Sequence, residues 1–390
     1  MRNRWGILAV LFTVRVAMSF QFQSVGAIAP LMSTQFGASL ADIGLLIGLY
    51  FTPGVALALP GGAIGLKFGD KATVLTAIFL MFAGGLAMAF SNLWAGQIGG
   101  RLVSGAGGVL LTVQMTKMVA DWFAGKEIAT AMAIYVVSWP AGIALSLVTL
   151  PAIGASYGVR AVQLGVAALI VLGAVLFVAT RYGPPATVET AGSAPASARP
   201  HRRAIVAVIM AGLIWGLFNV GFATIFSFGP SMLAERGWSI ATAGSTISIV
   251  LWISVIAVPF GGFVADRSGR PQTLLVGAAI AAGLLMLVFA RTDAVVITAI
   301  ALGLISALPA GPIMSLPARV LAPATRSIGM GIFYTVYYGA MMLGPVGAGA
   351  AAKWIGNAIA AFDFGAVMML VCPVLLWCFN RMAPAAAKTT

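Results

Sequence analysis

Runs of about 20 apolar residues follow one another along nearly the whole chain, parted only by short polar turns. A helix of that length crosses the hydrocarbon core of a bilayer, where only helices and closed barrels satisfy every backbone hydrogen bond. Barrel strands would alternate in polarity over segments of about ten residues, a pattern this chain lacks. The expectation is a polytopic, all-α integral membrane protein. Composition agrees: 61% of the 390 residues are hydrophobic and 8% charged, against about a quarter charged in ordinary soluble domains. The 47 glycines suit helices that approach closely in lipid.

Hydropathy read against turn signals predicts helices near 5–29, 41–66, 72–92, 94–117, 128–155 and 160–180. A second set falls near 204–230, 240–265, 272–290, 294–318, 327–352 and 359–381. Between the sets, residues 181–203 are rich in Pro, Ala, Ser and Gly and read as a flexible linker. The expected organisation is an N-terminal six-helix bundle over 1–180, that linker, and a C-terminal six-helix bundle over 204–390.

Lys and Arg set the orientation. Of 22 such residues, sixteen fall on the side of the N-terminus, among them Arg4, Lys67, Lys71, Lys117, Arg267, Arg270 and Arg319. Arg160, Arg236, Arg291 and Lys353 fall on the other side, and Arg15 and Arg101 lie within helices. Both termini and the linker are thus expected in the cytoplasm, with the chain in a bacterial inner membrane. Arg2 and Arg4 before an apolar run imitate a signal peptide, but Arg15 interrupts the run and argues against cleavage.

Other chemistry is sparse. Cys372 and Cys378, six residues apart, point to opposite sides of one helix, and the single histidine, His201, lies in the linker. No disulfide framework, metal site or cofactor is expected. Net charge +13 would suggest nucleic acid in a soluble protein. Here topology accounts for it, and the expected partners are the lipid bilayer and a small substrate, with the chain acting as a monomer.

An offset of 200 residues aligns the halves without gaps through two helices. Pro30 and Met32 match Pro230 and Met232, and Gly37, Ser39, Ala41 and Gly44 match Gly237, Ser239, Ala241 and Gly244. GGAIGLKFG from Gly61 matches GGFVADRSG from Gly261, and Tyr135 corresponds to Tyr334 at an offset of 199. Six helices per half make the halves run in the same sense. Parallel repeats of this kind place a binding site between them near the midplane and rock about it in alternating access.

These features resemble the major facilitator superfamily over nearly the entire chain, which implies two pseudo-symmetric six-helix bundles. The strongest motif is GGFVADRSGRP. In that family the loop pattern G-x-x-x-D-R/K-x-G-R/K follows the second and eighth helices and implies a charge relay that holds the inward gate shut. Gly262, Asp266, Arg267, Gly269 and Arg270 fit it. The first-half copy departs, with Leu66 in place of the Asp and Asp70 where an Arg is usual, while Lys67 and Lys71 keep the positive charge. Arg101 and Gly105 resemble the family's R-x-x-x-G motif, which implies proton transfer or helix packing. Arg101 lies about 10 Å from the outer end of its helix, within reach of snorkelling outward.

Arg15 is the strongest substrate candidate. It lies about ten residues into its helix, roughly 15 Å from the inner end and near the midplane. A charge buried there costs several kcal/mol unless paired, and the nine acids fall in loops or at helix ends. An anionic substrate held by the planar guanidinium is the expected partner; the rival is an Arg bonded to backbone carbonyls. Ser19 and Gln23 continue its stripe, and the equivalent helix of the second half offers Trp215 and Asn219. Gln114, Trp139, Tyr334, Tyr337 and Tyr338 complete the substrate-lining set, with Tyr50, Ser138 and Trp252 as further candidates.

The expected function is secondary transport of a small organic or inorganic anion by alternating access, without enzymatic activity. Carboxylates, oxyanions and pseudohalides are the candidate substrates, and the single buried Arg resembles oxalate/formate, nitrate/nitrite and cyanate-type porters. Lack of an intramembrane acid favours exchange, facilitated flux or symport of a protonated substrate over proton coupling through the protein. The alternative is a drug/proton antiporter, which the aromatics and 18 Met would suit but a buried positive charge would oppose.

Overall fold

The computed structural model describes residues 4–58, 60–123, 127–180, 201–321 and 325–382. Most of the predicted linker, residues 181–200, therefore lies outside the described residues. The N-terminal half comprises α1 (Arg4–Ala27), α2 (Ala29–Phe36), α3 (Leu40–Leu49), α4 (Thr52–Leu57), α5 (Gly61–Phe68), α6 (Asp70–Phe90), α7 (Trp94–Trp122) and α8 (Ile128–Ala179). The C-terminal half comprises α9 (Arg202–Glu235), α10 (Ile240–Ser268), α11 (Pro271–Phe289), α12 (Val295–Ala307), α13 (Ala310–Ser315), α14 (Arg326–Ile355) and α15 (Ile359–Met382). Among the described residues there is no strand, and ten stretches are long and apolar enough to cross a membrane. These elements make the twelve passages expected, because α8 crosses twice, turning at Gly158 with φ 80°, and α14, outside those ten stretches, adds one more.

Three predicted helices are broken, each by proline. Pro53 has no N–H for the Leu49 carbonyl, so α3 stops at Leu49 and the chain tightens through Tyr50 and Phe51 before α4. Pro309 does the same between α12 and α13. Pro30 sits in the first turn of α2, which carries the first passage on to Phe36. The outer start of α3 has the capping box read from Ser39-x-x-Asp42: the Ser39 N–H donates to the Asp42 carboxylate at 2.8 Å.

Two seams join the halves, one of α3 and α4 against α14, the other of α8 against α10, with α1 crossing α9 between them. Gly44 and Gly244, exact repeat mates, sit one on each seam. A Cβ on Gly44 would run into the Pro345 carbonyl oxygen, and one on Gly244 into that of Leu147. Backbone therefore meets backbone directly, as small residues allow in lipid. The glycine contacts lie in the half of the membrane away from the N-terminus, while α4 meets α14 at mid-depth through Gly54 on Tyr338. Toward the opposite, basic face, α5 packs on α6 and α7, and α13 on elements of its own half. The bundles are thus sealed at the far face and part toward the basic one.

Candidate substrate site at the seam

Arg15 lies eleven residues past the start of α1, about 16 Å up the helix. Its guanidinium carbon sits 4.2 Å from the centroid of the Tyr135 ring on α8, a cation–π contact. Among the described residues it makes no side-chain hydrogen bond or ion pair, and its Nε is buried without a partner. Tyr135 is fully buried, and its hydroxyl is likewise unpartnered. Across the seam, Tyr334, Tyr337 and Tyr338 of α14 lie within electrostatic reach of Arg15. Tyr334 keeps 36% of its surface exposed although it lies well inside α14. Trp215 tilts against Tyr337 with ring centroids 6.2 Å apart.

Aromatic rings from both halves close the far side of this space. Phe22 stacks on Trp139 at 5.2 Å and meets Phe226 edge-on at 6.3 Å, while Phe51 faces Tyr338 at 6.3 Å. Arg15 stands two turns nearer the basic face than Phe22. The arrangement is a guanidinium at the bottom of an opening with an aromatic floor.

The rest of the predicted stripe has other work. Ser19 is buried, donating to the carbonyls of Arg15 and Val16 at 3.2 Å and of Ser138 at 3.3 Å, which ties α1 to α8. Gln23 donates to the Phe226 carbonyl at 2.6 Å, a bond across the far seam rather than a lining position. Gln114 is corrected furthest: it is fully buried near the basic end of α7 and hydrogen-bonded to Asp70, away from Arg15. Asn219 spends its amide on the Trp215 carbonyl at 2.7 Å, one turn back. Ser138 bonds the Tyr135 carbonyl, and Trp252 is 43% exposed on α10. Tyr135, absent from the predicted set, was marked by its repeat match with Tyr334.

Arg101 does not snorkel. It is fully buried, with Nε donating to the Leu46 carbonyl at 3.0 Å, Nη1 to Gln21 at 3.1 Å and Nη2 to Phe22 at 2.5 Å. The proline break explains one acceptor: the Tyr50 N–H turns back to Ile47 at 3.3 Å, leaving the Leu46 carbonyl to the arginine. Tyr50 lies under the same guanidinium at 4.6 Å, so it belongs to this knot rather than to the opening.

At the basic face the two motif copies differ. In the first half, Lys117 bridges Asp70 at 2.9 Å and Asp121 at 3.1 Å, while Lys67 and Lys71 make no ion pair among the described residues. In the second half, Gly269 has φ 61° and ends α10, but the glycine pressed against a neighbour is Gly261 on Leu308, not Gly262, which has open space. Arg267 and Arg270 are exposed and unpaired with any acid among the described residues. The Asp266 side chain lies outside the described residues, so the predicted relay partner is not described. Glu127 pairs with Arg4 of α1 at 2.5 Å, within the same half.

A family model of the Major Facilitator Superfamily matches residues 11–239 and again 217–390, once for each half. The chain belongs to the Major Facilitator Superfamily. Among superfamily members with curated descriptions, a hexuronate transporter of Bacillus subtilis is 25% identical over 279 residues, 68% of this chain and 65% of that protein. The chain thus covers just under two thirds of that relative's length. Two solved superfamily folds superpose over nearly the full chain. The inward-open xylose transporter XylE of E. coli gives a TM-score of 0.79 at 14% identity, covering 100% of this chain and 98% of that one. A POT peptide transporter in complex with sulfate gives 0.77 at 16% identity, covering 96% and 94%. At such identities the likeness is one of fold. The chain is accordingly a multi-pass membrane protein of that superfamily.

Proposed function

We propose that this transporter carries a small organic anion, anchored by its carboxylate to Arg15, between the two faces of a cytoplasmic membrane. The observation that carries this reading is the Arg15 guanidinium, seated at mid-depth between the halves with no acid or carbonyl among the described residues to balance it. An unpaired charge at that depth costs several kcal/mol, and a bidentate carboxylate repays it through paired charge-assisted hydrogen bonds. Likeness to a hexuronate transporter favours a hydroxylated carboxylate over an inorganic ion, since aromatic walls suit a carbon skeleton. The excess of Lys and Arg on the N-terminal face makes that face cytoplasmic, so the arrangement described is inward-facing. With no acid beside Arg15, the bound anion itself neutralises the site, which suits exchange or facilitated flux.

The test is a thermal-shift panel on detergent-purified protein: sugar acids, short carboxylates, nitrate and cyanate against cationic and neutral drugs. A ligand at a hundred times its Kd stabilises the folded state by about 2.7 kcal/mol. Anions that raise the melting temperature of the wild type but not of Arg15→Gln support the reading. Stabilisation by hydrophobic compounds alone, equal in both proteins, would replace it with drug export.

A further inference from the structure

We infer that the site holds one negative charge and no more, with Arg15 and Tyr135 forming a clamp for a single carboxylate. The transporter then selects monocarboxylates against dicarboxylates of the same skeleton. This rests on the anion reading above and goes beyond it in naming the charge of the substrate and a second binding residue.

Two observations combine. The first is a shortage of cations. Within the membrane interior of the described residues, only Arg15 and Arg101 carry positive charge, and Arg101 is fully buried with all three nitrogens committed to carbonyls. The wall opposite Arg15 is Tyr334, Tyr337, Tyr338 and Trp215. Phenolic hydroxyls there can bond a substrate's hydroxyl groups, but a second carboxylate would be desolvated with no counter-charge, which is strongly unfavourable in a low-dielectric site.

The second is a matched pair of idle donors. The Arg15 Nε–H and the Tyr135 O–H are both buried, both without a hydrogen-bond partner, and joined by the cation–π contact at 4.2 Å. Buried donors are rarely left unmade, because each forfeits its hydration. Two such donors on adjoining side chains match the two oxygens of one carboxylate. Tyr135 also holds the guanidinium over its ring at 4.2 Å, so the fork meets the anion already positioned.

The experiment compares matched pairs in the purified transporter at pH 8: butyrate with succinate, 3-hydroxybutyrate with malate, and gluconate with glucarate. Wild type, Tyr135→Phe and Arg15→Gln are measured by thermal shift and by competition binding. Tyr135→Phe keeps the ring under Arg15 and removes only the hydroxyl, and its melting temperature without ligand reports any loss of fold. The expected result is Arg15-dependent binding of at least one monocarboxylate, with its dicarboxylate partner at least tenfold weaker. Tyr135→Phe should weaken the monocarboxylate about tenfold, the loss of one hydrogen bond to a charged group. Arg15-dependent binding of a dicarboxylate as tight as that of its partner overturns the single-charge inference and leaves the anion reading standing. So does an unchanged affinity in Tyr135→Phe for the clamp. Should Tyr135→Phe not fold, the wild-type comparison of matched pairs decides the charge question alone. If no anion binds in an Arg15-dependent way, the anion reading itself falls, and the inference with it.

Discussion

Two arginines are sunk in the N-terminal half, and their surroundings could hardly differ more. Around Arg101 the backbone itself supplies the counter-charge: a proline-broken helix and a neighbouring turn of α1 aim three carbonyls at the guanidinium. Around Arg15, among the described residues, no carbonyl accepts from the guanidinium, and its support is the face of Tyr135. The first arginine is consumed by structure. The second is held in place by structure but left electrically unfinished, at mid-depth between the halves. Whether a buried charge signals a site therefore depends on the bonding of the carbonyls around it more than on the charge.

That contrast can be broken or sharpened by substitution. The largest effect is expected for Arg101→Leu, which strands the Leu46 carbonyl and removes charge-assisted bonds from those of Gln21 and Phe22, at roughly 1–3 kcal/mol each. Size-exclusion profiles should show loss of folded transporter with or without anion, and a normal melting curve would dissolve the contrast. Next comes Arg15→Gln. Anion affinity should fall at least about a hundredfold, as when a buried charge pair is truncated, while the unliganded melting temperature holds or rises. Arg15→Lys should lose most of the affinity too, because a point charge does not replace the planar fork. A smaller, conformational effect belongs to Gly44→Val and Gly244→Val, whose side chains cannot fit against the Pro345 and Leu147 carbonyls. In a cysteine-free background, a cysteine placed at Ser227 should become reactive to an impermeant thiol reagent from the far face. The smallest change is expected for Lys117→Met. Its pair with Asp70 has 38% and 14% of the two side chains exposed, so at most about 1 kcal/mol of salt-sensitive stability should go.

Much of the fold was legible in the sequence because its strongest signals are local and repeated. Apolar length gave the passages, and the 200-residue offset paired Gly44 with Gly244 before any contact between halves was known. The breaks at Pro53 and Pro309 were legible in principle, since proline withdraws a donor wherever it stands. The site was harder. Arg15 stood out by the cost of its charge, but Ser19 and Gln23 share its helical face and still turn to bonds with α8 and α9. A helical wheel gives direction within one helix and is silent about which neighbour arrives there. Gln114 shows the same limit: its polarity marked it, and only the approach of Asp70 to α7 decides its partner. Tyr135 carried a signal in its repeat match with Tyr334, a correspondence that reads as ancestry until both rings are found flanking one guanidinium.

The far seams, made of glycine against carbonyl, have a mechanical consequence. Among the described residues, the bond from Gln23 to Phe226 and the attraction between Asp42 and Lys353 at the outer rim are joined by a dry fit of surfaces, whose adhesion depends on contact distance. On the proposed function, the fixed charge of Arg15 is the electrical element at mid-depth between the halves, and the cargo that cancels it is the switch that sets the rhythm of the cycle.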